Sequence, residues 1–306
     1  MKKFFALVVL CTVVGVPAVA GPAEDCKAND ADRQISGCTK LIERDPRHAA
    51  AYNNRAFGHV KKREWSEALS DAQRSIELQP NDPSPHLNLG GAYLGLKEYG
   101  NAITAYTRAI GLGVSDAPTY VNRGYAYYET KDLDRALGDF NKAIERDATF
   151  WNAYRLRGQV YASQGEHENA ISDFSKALSI NPGSDLLYQL RSTAHYRLRD
   201  LEAAQQDIEK SIQMAPNSSW HHSLRGWILY RKGNIEAARA DFELAAKLEP
   251  GNASSIFGLG RILLDGGKFD AAFSQFDSAI RVRGKNAEID NYAYRGLAYE
   301  KKGLAP

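Results

Sequence analysis

Arginine and aspartate recur together at one fixed spacing, sixteen residues apart, in five segments of the sequence. The pairs are Arg55 with Asp71, Arg123 with Asp139, Arg157 with Asp173, Arg191 with Asp207, and Arg225 with Asp241. Two related segments carry Leu89 and Leu259 in place of the arginine, and both also lack the acid. Because the two charges appear and disappear together, we expect partly buried ion pairs, which fix geometry more reliably than they add stability. A row of arginines for anionic ligands is the alternative.

Two cysteines, Cys26 and Cys38, could form a disulfide near the N-terminus. Such a bridge closes a short loop and would stabilise the fold by about 3 kcal/mol. The pair lacks the CxxC spacing of redox and metal sites, and a further cysteine partner is missing once Cys11 is removed with the leader described below. The sequence favours a disulfide bond, with two buried thiols as the alternative.

Residues that could support catalysis are scattered rather than grouped. His221 and His222 form the one histidine cluster among seven histidines, and no carboxylate follows at metal-ligand spacing. The glycines at 258 and 260 and at 266 and 267 resemble phosphate loops only superficially, because the preceding strand and the third glycine are missing. The sequence therefore predicts a non-enzymatic chain with no metal and no cofactor.

The first twenty residues have the pattern of a cleaved signal peptide. Lys2 and Lys3 precede an apolar stretch at 4–16, and Ala18-Val19-Ala20 is a small-residue cleavage site. A membrane anchor is the alternative, but a spanning helix needs about 20 apolar residues. We expect export to the bacterial periplasm or secretion, with no stable membrane insertion after cleavage.

The charge balance argues against a nucleic-acid partner. The chain has 39 Lys and Arg against 37 Asp and Glu, a formal charge of +2. Removal of Lys2 and Lys3 leaves 37 of each sign. Nucleic-acid binders normally carry a clear basic excess, so we expect none to bind here.

A period of 34 residues runs through the rest of the chain. Alanine recurs at every step of the lattice: Ala68, Ala102, Ala136, Ala170, Ala204, Ala238 and Ala272. Each unit contains two helical patterns, such as 120–130 and 133–146, separated by a polar or glycine-bearing turn such as Lys131-Asp132 or Gln164-Gly165. Repetition of this kind indicates stacked units that share a continuous core.

This lattice resembles the tetratricopeptide repeat (TPR) family. The best copy carries Tyr154, Gly158, Tyr161, Ala170, Phe174, Ala177 and Pro182. The resemblance implies an all-α fold, a right-handed helix-turn-helix solenoid of TPR repeats. It divides the chain into a signal peptide (1–20), an N-terminal segment with a degenerate half-repeat (21–48), seven repeats (49–286), and an eighth half-repeat or capping helix (287–306).

The eighth half-repeat starts near Ile289 after a two-residue slip in the lattice. Arg295 then occupies the position of the paired arginines. Its acid would fall beyond Pro306, so the sequence predicts that Arg295 has no partner.

In the TPR family the first helix of each repeat lines a concave groove that receives a peptide or a partner's helix. The resemblance places an aromatic set on this face: Phe57, Tyr125, Tyr128, Tyr196, Trp220, Trp227 and Tyr230. Arg155, Arg197 and Arg231 interrupt it. Aromatic residues and arginine dominate protein–protein hot spots, although some of these rings could instead pack against the adjacent helix.

Three asparagines, Asn54, Asn88 and Asn122, occupy a flanking position of the first three repeats. In some TPR proteins an asparagine ladder there binds the backbone of an extended peptide, because an amide offers both a donor and an acceptor. Asparagine is also simply common at this position.

The resemblance implies an exported scaffold that binds a protein or an extended peptide in its groove. The alternative is a structural subunit of a cell-envelope assembly. In that case the chain self-associates or stacks through its C-terminal half-repeat, as a homo-oligomer through residues 289–303.

Overall fold

The computed structural model describes residues 21–284 and 289–303, and every regular element within them is an α-helix. The predicted signal peptide at 1–20 lies outside the described residues. The chain divides into two compact units, Met1–Ser115 and Asp116–Pro306. The expectation of an all-α repeat fold is confirmed.

The first unit contains six helices between residues 21 and 115. They are α1 (Pro22–Asp25), α2 (Ala31–Arg44), α3 (Ala49–Lys62), α4 (Trp65–Leu78), α5 (Ser84–Gly95) and α6 (Tyr99–Gly111). Asp30 caps α2 by accepting a hydrogen bond from the backbone N–H of Arg33. The helix α2 lies within the N-terminal segment 21–48.

The second unit contains eleven helices in its described residues. They are α7 (Ala117–Glu129), α8 (Leu133–Arg146), α9 (Trp151–Ser163), α10 (His167–Ile180), α11 (Asp185–Arg197), α12 (Leu201–Met214), α13 (Ser219–Arg231), α14 (Ile235–Leu248), α15 (Ala253–Asp265), α16 (Phe269–Arg283) and α17 (Ile289–Lys301). Asp116, Ser184 and Ser218 cap α7, α11 and α13 through their side-chain oxygens, as expected of short polar residues at this position.

The turn between the two helices of each repeat recurs with the same 34-residue period. One residue of every turn has a positive φ angle, and these residues are 34 apart: Arg63, Lys97, Lys131, Gly165, Arg199, Gly233 and Gly267. Glycine adopts this left-handed conformation at no steric cost, whereas the other four side chains are strained there. The turns predicted at Lys131-Asp132 and Gln164-Gly165 are confirmed.

Small residues let the helices approach closely around buried aromatic rings. A Cβ atom on Gly226 would lie 2.7 Å from the ring of Phe242, and one on Gly258, in the next repeat, only 2.5 Å from the same ring. Phe242 is fully buried. Equivalent buried rings occupy four of the other repeats: Tyr106, Phe140, Phe174 and Phe276. The lattice of glycine, alanine and aromatic residues is therefore the core of the protein.

The first helices of successive repeats contact one another within the second unit, in the order α7, α9, α11, α13, α15 and α17. The second helices of successive repeats in this unit make no such contact among the residues described. First helices that touch while second helices spread apart form the inner side of a curved stack. The groove of this unit is thus lined by first helices.

Cys26, which follows α1, forms a disulfide bond with Cys38 on α2. Both residues are buried, and Ala51, Leu41 and Ile42 pack beside them. The bridge ties the short α1 to the first long helix of the unit. It agrees with the disulfide that the sequence favours over two buried thiols.

Loss of the Cys26–Cys38 bridge is expected to lower the free energy of unfolding by about 3 kcal/mol, because the unfolded chain regains the entropy of the open loop. Urea unfolding of the variant Cys26→Ser, Cys38→Ser measures the loss. Wild-type protein held in reductant is the matched control and should lose as much. Alkylation of both thiols in native protein without reductant would contradict the bridge.

Candidate partner-binding groove

The five arginine–aspartate pairs join the first and second helices of their own repeats. Arg191 donates from Nε to Asp207 Oδ2 and from Nη2 to Asp207 Oδ1, each at 2.7 Å. The other four pairs have the same two-pronged geometry. The side-chain hydrogen bond to the aspartate raises the pKa of each of these arginines. The predicted pairing within repeats is confirmed. These arginines bond to aspartates inside the fold.

Two of the paired arginines, Arg157 and Arg191, also reach back to the preceding second helix. Arg191 donates from Nη1 to Ser175 Oγ at 3.0 Å, and Arg157 donates from Nη1 to Asn141 Oδ1 at 2.6 Å. Each guanidinium thus holds three helices together, which the sequence analysis did not anticipate.

The prediction that Arg295 has no partner is wrong. Its Nη1 donates to Asp277 Oδ1 at 3.1 Å. Asp277 lies on α16, the preceding second helix, eighteen positions earlier rather than sixteen positions later. The two-residue slip before α17 brings Asp277 to the place that Ser175 occupies beside Arg191. A search for acids on the preceding helix, corrected for the slip, would have found it.

In the first unit, the predicted groove residues Asn54, Asn88 and Phe57 lie on the first helices α3 and α5. Asn54 Nδ2 is 3.9 Å from Cys26 Sγ. Asn88 Nδ2 donates to the backbone and side-chain oxygens of Asn53 at 3.0 and 2.8 Å. Phe57 is 47% exposed, with the Lys61 ammonium 4.5 Å from its ring centre.

Within the second unit, Asn122, Tyr125 and Tyr128 lie on α7. Asn122 is exposed, and the two tyrosines are half-buried. Tyr128 and Gln159 line a cavity of about 270 Å³ with Leu190 of α11. Asn122 belongs to the second unit, and Asn54 and Asn88 belong to the first.

The other four predicted aromatic residues meet around one larger cavity of about 590 Å³. Tyr196 comes from α11, and Trp220, Trp227 and Tyr230 come from α13. The exposed fraction of Trp220 is 47%, whereas Trp227 is half-buried. We call this cavity the aromatic pocket.

Trp227 anchors the wall of the aromatic pocket. Its ring meets those of Phe242, Tyr230 and Phe257 at centre distances of 5.1, 5.8 and 5.9 Å. Its indole N–H donates to Ser254 Oγ at 2.9 Å. With the polar end bonded and the ring packed on three others, its orientation is fixed before any partner arrives.

Several lining residues of the aromatic pocket escaped the sequence analysis, among them Ser254, Phe257, Arg261, Asn291 and Tyr294. Ser254 and Arg261 stand one 34-residue period after Trp220 and Trp227, and Phe257 stands three periods after Arg155, so all three share positions with predicted groove residues. The same periodicity could therefore have found them. Asn291 and Tyr294 follow the slip in the lattice, which shifts the positions of the repeat by two residues.

Polar groups around Tyr230 are tightly connected. Its hydroxyl donates to Asp265 Oδ2 and accepts a hydrogen bond from Arg261 Nη2 at 3.1 Å. Burial, with a smaller contribution from the Asp265 hydrogen bond, raises the pKa of Tyr230 to about 12. Tyr230 is consequently a neutral hydrogen-bonding group at physiological pH.

Two arginines of the groove lie against neutral partners. Arg231 stacks on Tyr196, with the guanidinium carbon 4.1 Å from the ring centre. Arg155 donates to Asn152 Oδ1 at 2.8 Å and to Gln159 Oε1 at 2.7 Å. Burial lowers the pKa of the Arg155 guanidinium. These contacts orient the cations without neutralising them.

Within the described ranges, no group of three or more His, Cys, Asp or Glu side chains is placed to hold a metal ion. His221 and His222 are buried, and His222 contacts Asp241 and the backbone oxygen of Pro216. None of the helices at 21–284 and 289–303 has the length and apolar character needed to cross a membrane.

The family model of the tetratricopeptide repeat matches residues 58–117, 121–185, 190–253 and 223–293. No curated protein matches the sequence at a significant level. The structure is similar to a tetratricopeptide repeat protein from Parabacteroides merdae ATCC 43184, with a TM-score of 0.63 and 20% identity over 87% of this chain and 99% of that chain.

Two further solved structures share the fold. Cut9 in the APC/C hetero-tetramer Cut9–Hcn1 gives a TM-score of 0.65 at 14% identity, over 88% of this chain and 52% of that chain. YrrB, a TPR protein with an unusual peptide-binding site, gives a TM-score of 0.52 at 20% identity, over 61% of this chain and 96% of that chain. Identities this low show a common fold alone. The repeated family match together with this architecture establishes that the chain belongs to the tetratricopeptide-repeat family.

Proposed function

We propose that this protein is an exported scaffold that binds an extended peptide or a protein segment in the groove of its first helices. The observation that carries the proposal is the aromatic pocket, where Trp220, Trp227 and Tyr230 of α13 meet Tyr196 and Phe257 of its neighbours. Members of this fold generally act in protein–protein interactions, and YrrB has a peptide-binding site.

The residue types of the pocket suit recognition rather than core packing alone. Trp220 keeps 47% of its surface exposed on a first helix, although a buried position would be more favourable for so large a ring. Tryptophan, tyrosine and arginine concentrate the binding energy of protein interfaces. A partner side chain that fills the pocket would cover these rings together.

Export is part of the same proposal. The leader pattern at 1–20 supports it, and the Cys26–Cys38 bridge suits an oxidising compartment such as the periplasm. The groove would then meet partners of the cell envelope or the extracellular space.

A second candidate function is self-association through α17. Its side chains Tyr292, Leu297 and Tyr299 are 46%, 37% and 39% exposed, and a cluster of exposed apolar side chains is typical of an interaction surface. Light scattering across a concentration series tests this candidate. A strict monomer favours the groove, whereas a stable oligomer lost in Tyr292→Ser with Leu297→Ser favours stacking.

Selection of random phage-displayed peptides on the purified protein tests the groove. We expect enriched peptides whose affinity, measured by fluorescence anisotropy, falls at least about tenfold in Trp220→Ala, because this half-exposed ring would cover the bound side chain. Leu244→Ala is the matched control, since Leu244 is 37% exposed on the second helix α14 and should leave affinity unchanged.

Trp227→Ala and Asn88→Ala extend the test to the pocket wall and to the first unit. Circular dichroism confirms that each variant stays folded. Failure to enrich any peptide, or affinities unaffected by all three groove variants, would overturn the groove assignment.

A further inference from the structure

The last described helix, α17, has the sequence pattern of first helices that are covered by a second helix. It carries Tyr292, Arg295, Gly296 and Tyr299, spaced as Tyr-x2-Arg-Gly-x2-Tyr. The first helices α7 and α9 carry the same pattern, and they pack against the second helices of their own repeats, α8 and α10. Among the described helices, α17 contacts only α15 and α16. Its four pattern residues therefore form an uncovered surface, which we call the open face.

The tyrosines of the open face are exposed where their equivalents are buried. Tyr120 and Tyr127 of α7 are 7% and 8% exposed, because α8 lies over both rings. Tyr292 and Tyr299 occupy the same two positions of the pattern and are 46% and 39% exposed. Exposed rings at positions that are buried elsewhere in the chain indicate an interaction surface.

Gly296 leaves space for a ring on the open face. In five repeats a Cβ atom on the equivalent glycine would lie within 2.8 Å of an aromatic ring from the second helix of the same repeat: Gly90, Gly124, Gly158, Gly226 and Gly260. Apart from the adjoining backbone of α17, no atom of the described residues lies within 4 Å of a Cβ on Gly296. Glycine inside a helix is destabilising relative to alanine, so this position favours contact with a ring over local helix stability.

Arg295 presents two hydrogen-bond donors beside this space. In Arg157 and Arg191, Nη1 bonds to the preceding second helix, whereas Nε and Nη2 hold the aspartate of the same repeat. Arg295 likewise uses Nη1 for Asp277 of the preceding second helix. Its Nε and Nη2 make no hydrogen bond within the described residues. The open face thus has a place for one carboxylate next to a place for one ring.

The second helices that cover α7 and α9 define what fits such a face. Both α8 and α10 have the spacing Ala-x2-Asp-Phe-x2-Ala, and all of these residues are buried: Ala136, Asp139, Phe140 and Ala143 in α8, and Ala170, Asp173, Phe174 and Ala177 in α10. In each, the aspartate meets the arginine of the pattern and the phenylalanine meets the glycine. The alanines let the two helices approach closely.

We propose that the open face binds an amphipathic helix of a partner protein, with the spacing Ala-x2-Asp-Phe-x2-Ala, which completes the eighth repeat. The aspartate of this helix would accept from Nε and Nη2 of Arg295 in the two-pronged geometry of the internal pairs. Its aromatic ring would pack on Gly296 and cover the tyrosines. The aromatic pocket is lined by other residues of α17, namely Asp290, Asn291 and Tyr294, so the proposal does not depend on peptide binding in the groove.

A second copy of this chain offers no free helix of this kind among its described residues. Its three Asp–Phe pairs, at 139–140, 173–174 and 241–242, are buried and bonded within their own repeats. Releasing one of them would leave a buried arginine without its acid and open a cavity in the core. We therefore assign the open face to a helix of a different protein.

The probe for this surface is a fluorescent peptide with the sequence of α8, residues 133–146. An isolated helix of 14 residues is marginal in water. A lactam bridge between Glu145 and the lysine of Asn141→Lys, both at exposed positions, therefore holds the peptide helical before it binds. Fluorescence anisotropy with the purified protein should show saturable binding. We expect affinity to fall at least about tenfold for the Phe140→Ala peptide and about fivefold for the Asp139→Asn peptide.

Variants of the protein locate the bound peptide. Gly296→Leu fills the space for the ring and should abolish binding, and it should leave the fold intact because no other described residue is close. Gly138→Leu is the matched control, since it adds the same side chain at an equally open position of α8 and should change affinity less than twofold. Arg295→Gln should weaken binding of the unchanged peptide about fivefold but cost the Asp139→Asn peptide little further affinity.

Three outcomes would overturn the proposal. The helical peptide could show no saturable binding, or its binding could persist in Gly296→Leu, which would place it elsewhere, such as in exchange for α8 of the protein. A stable dimer in light scattering that is lost in Gly296→Leu would give the open face to a second copy. None of these results bears on the groove, which Trp220→Ala tests separately.

Discussion

Replacing Arg191 with leucine is expected to lower the free energy of unfolding by about 3 kcal/mol, because the substitution leaves Asp207 buried without a partner. Asp207 is 6% exposed, and both of its oxygens accept from Arg191 at 2.7 Å. Removing one member of a buried pair typically costs about 3–5 kcal/mol. The lower end applies because the arginine side chain retains 23% of its exposure.

The second substitution should restore most of this loss. In Arg191→Leu with Asp207→Ala the uncompensated charge is gone, and we expect stability within about 1 kcal/mol of wild type. The chain provides the natural control, since repeat 83–116 already carries Leu89 and Ala105 at these two positions. Asp207→Ala alone should cost less than Arg191→Leu, because the freed guanidinium can reach water along its flexible stem.

Urea unfolding of the four proteins completes the cycle. A coupling energy of about 2 kcal/mol or more would establish the pair as a unit. Losses that simply add would show that arginine and aspartate contribute separately, through packing and local hydrogen bonds.

These pairs show how much structure a single sequence can predict when it contains internal repeats. Seven copies on one lattice let Arg55 and Asp71 be compared with Leu89 and Ala105, so the contact followed from covariation within one chain. The same lattice placed the turns and the buried rings. Contacts between the two helices of one repeat depend on short sequence separations, which can be read directly from the sequence.

The 34-residue period predicted less about the last half-repeat and about the groove. The partner of Arg295 was missed because its acid, Asp277, lies on the preceding helix at a spacing that the two-residue slip alters. Periodicity assigns a residue to a face of its helix but does not predict how deeply its side chain is buried. Trp220 and Trp227 lie on the same face of α13, yet Trp220 is exposed while Trp227 packs against Phe242 and Phe257. The neighbouring repeat decides that difference.

Core and groove meet at Phe242, which is fully buried and supports Trp227 at a centre distance of 5.1 Å. Phe242→Ala is expected to lower the free energy of unfolding by about 3–5 kcal/mol, through lost apolar contacts and the cavity that remains. Phe242→Leu should shift stability in the same direction by less. Since Trp227 loses its support, its fluorescence should also move toward that of a solvated indole.

The effect of a substitution in the next repeat on stability should reverse its sign when the Phe242 ring is removed. A Cβ atom on Gly258 would lie 2.5 Å from the Phe242 ring, so in the wild type Gly258→Ala should destabilise by about 1–3 kcal/mol through overpacking. In Phe242→Ala the methyl group enters the vacated space, and the same change should stabilise by about 1 kcal/mol through helix propensity and contact.

The matched control for this reversal is Gly138→Ala on α8. Apart from the adjoining backbone of α8, no atom of the described residues lies within 4 Å of its added Cβ, so it should stabilise by about 0.5–1 kcal/mol whether or not Phe242 is present. Urea unfolding of the set measures all these effects. If Gly258→Ala also stabilised the wild type, the approach of α15 to the Phe242 ring would be looser than the structure shows. The groove wall built on that ring could then not be rigid, because Trp227 depends on the same contact.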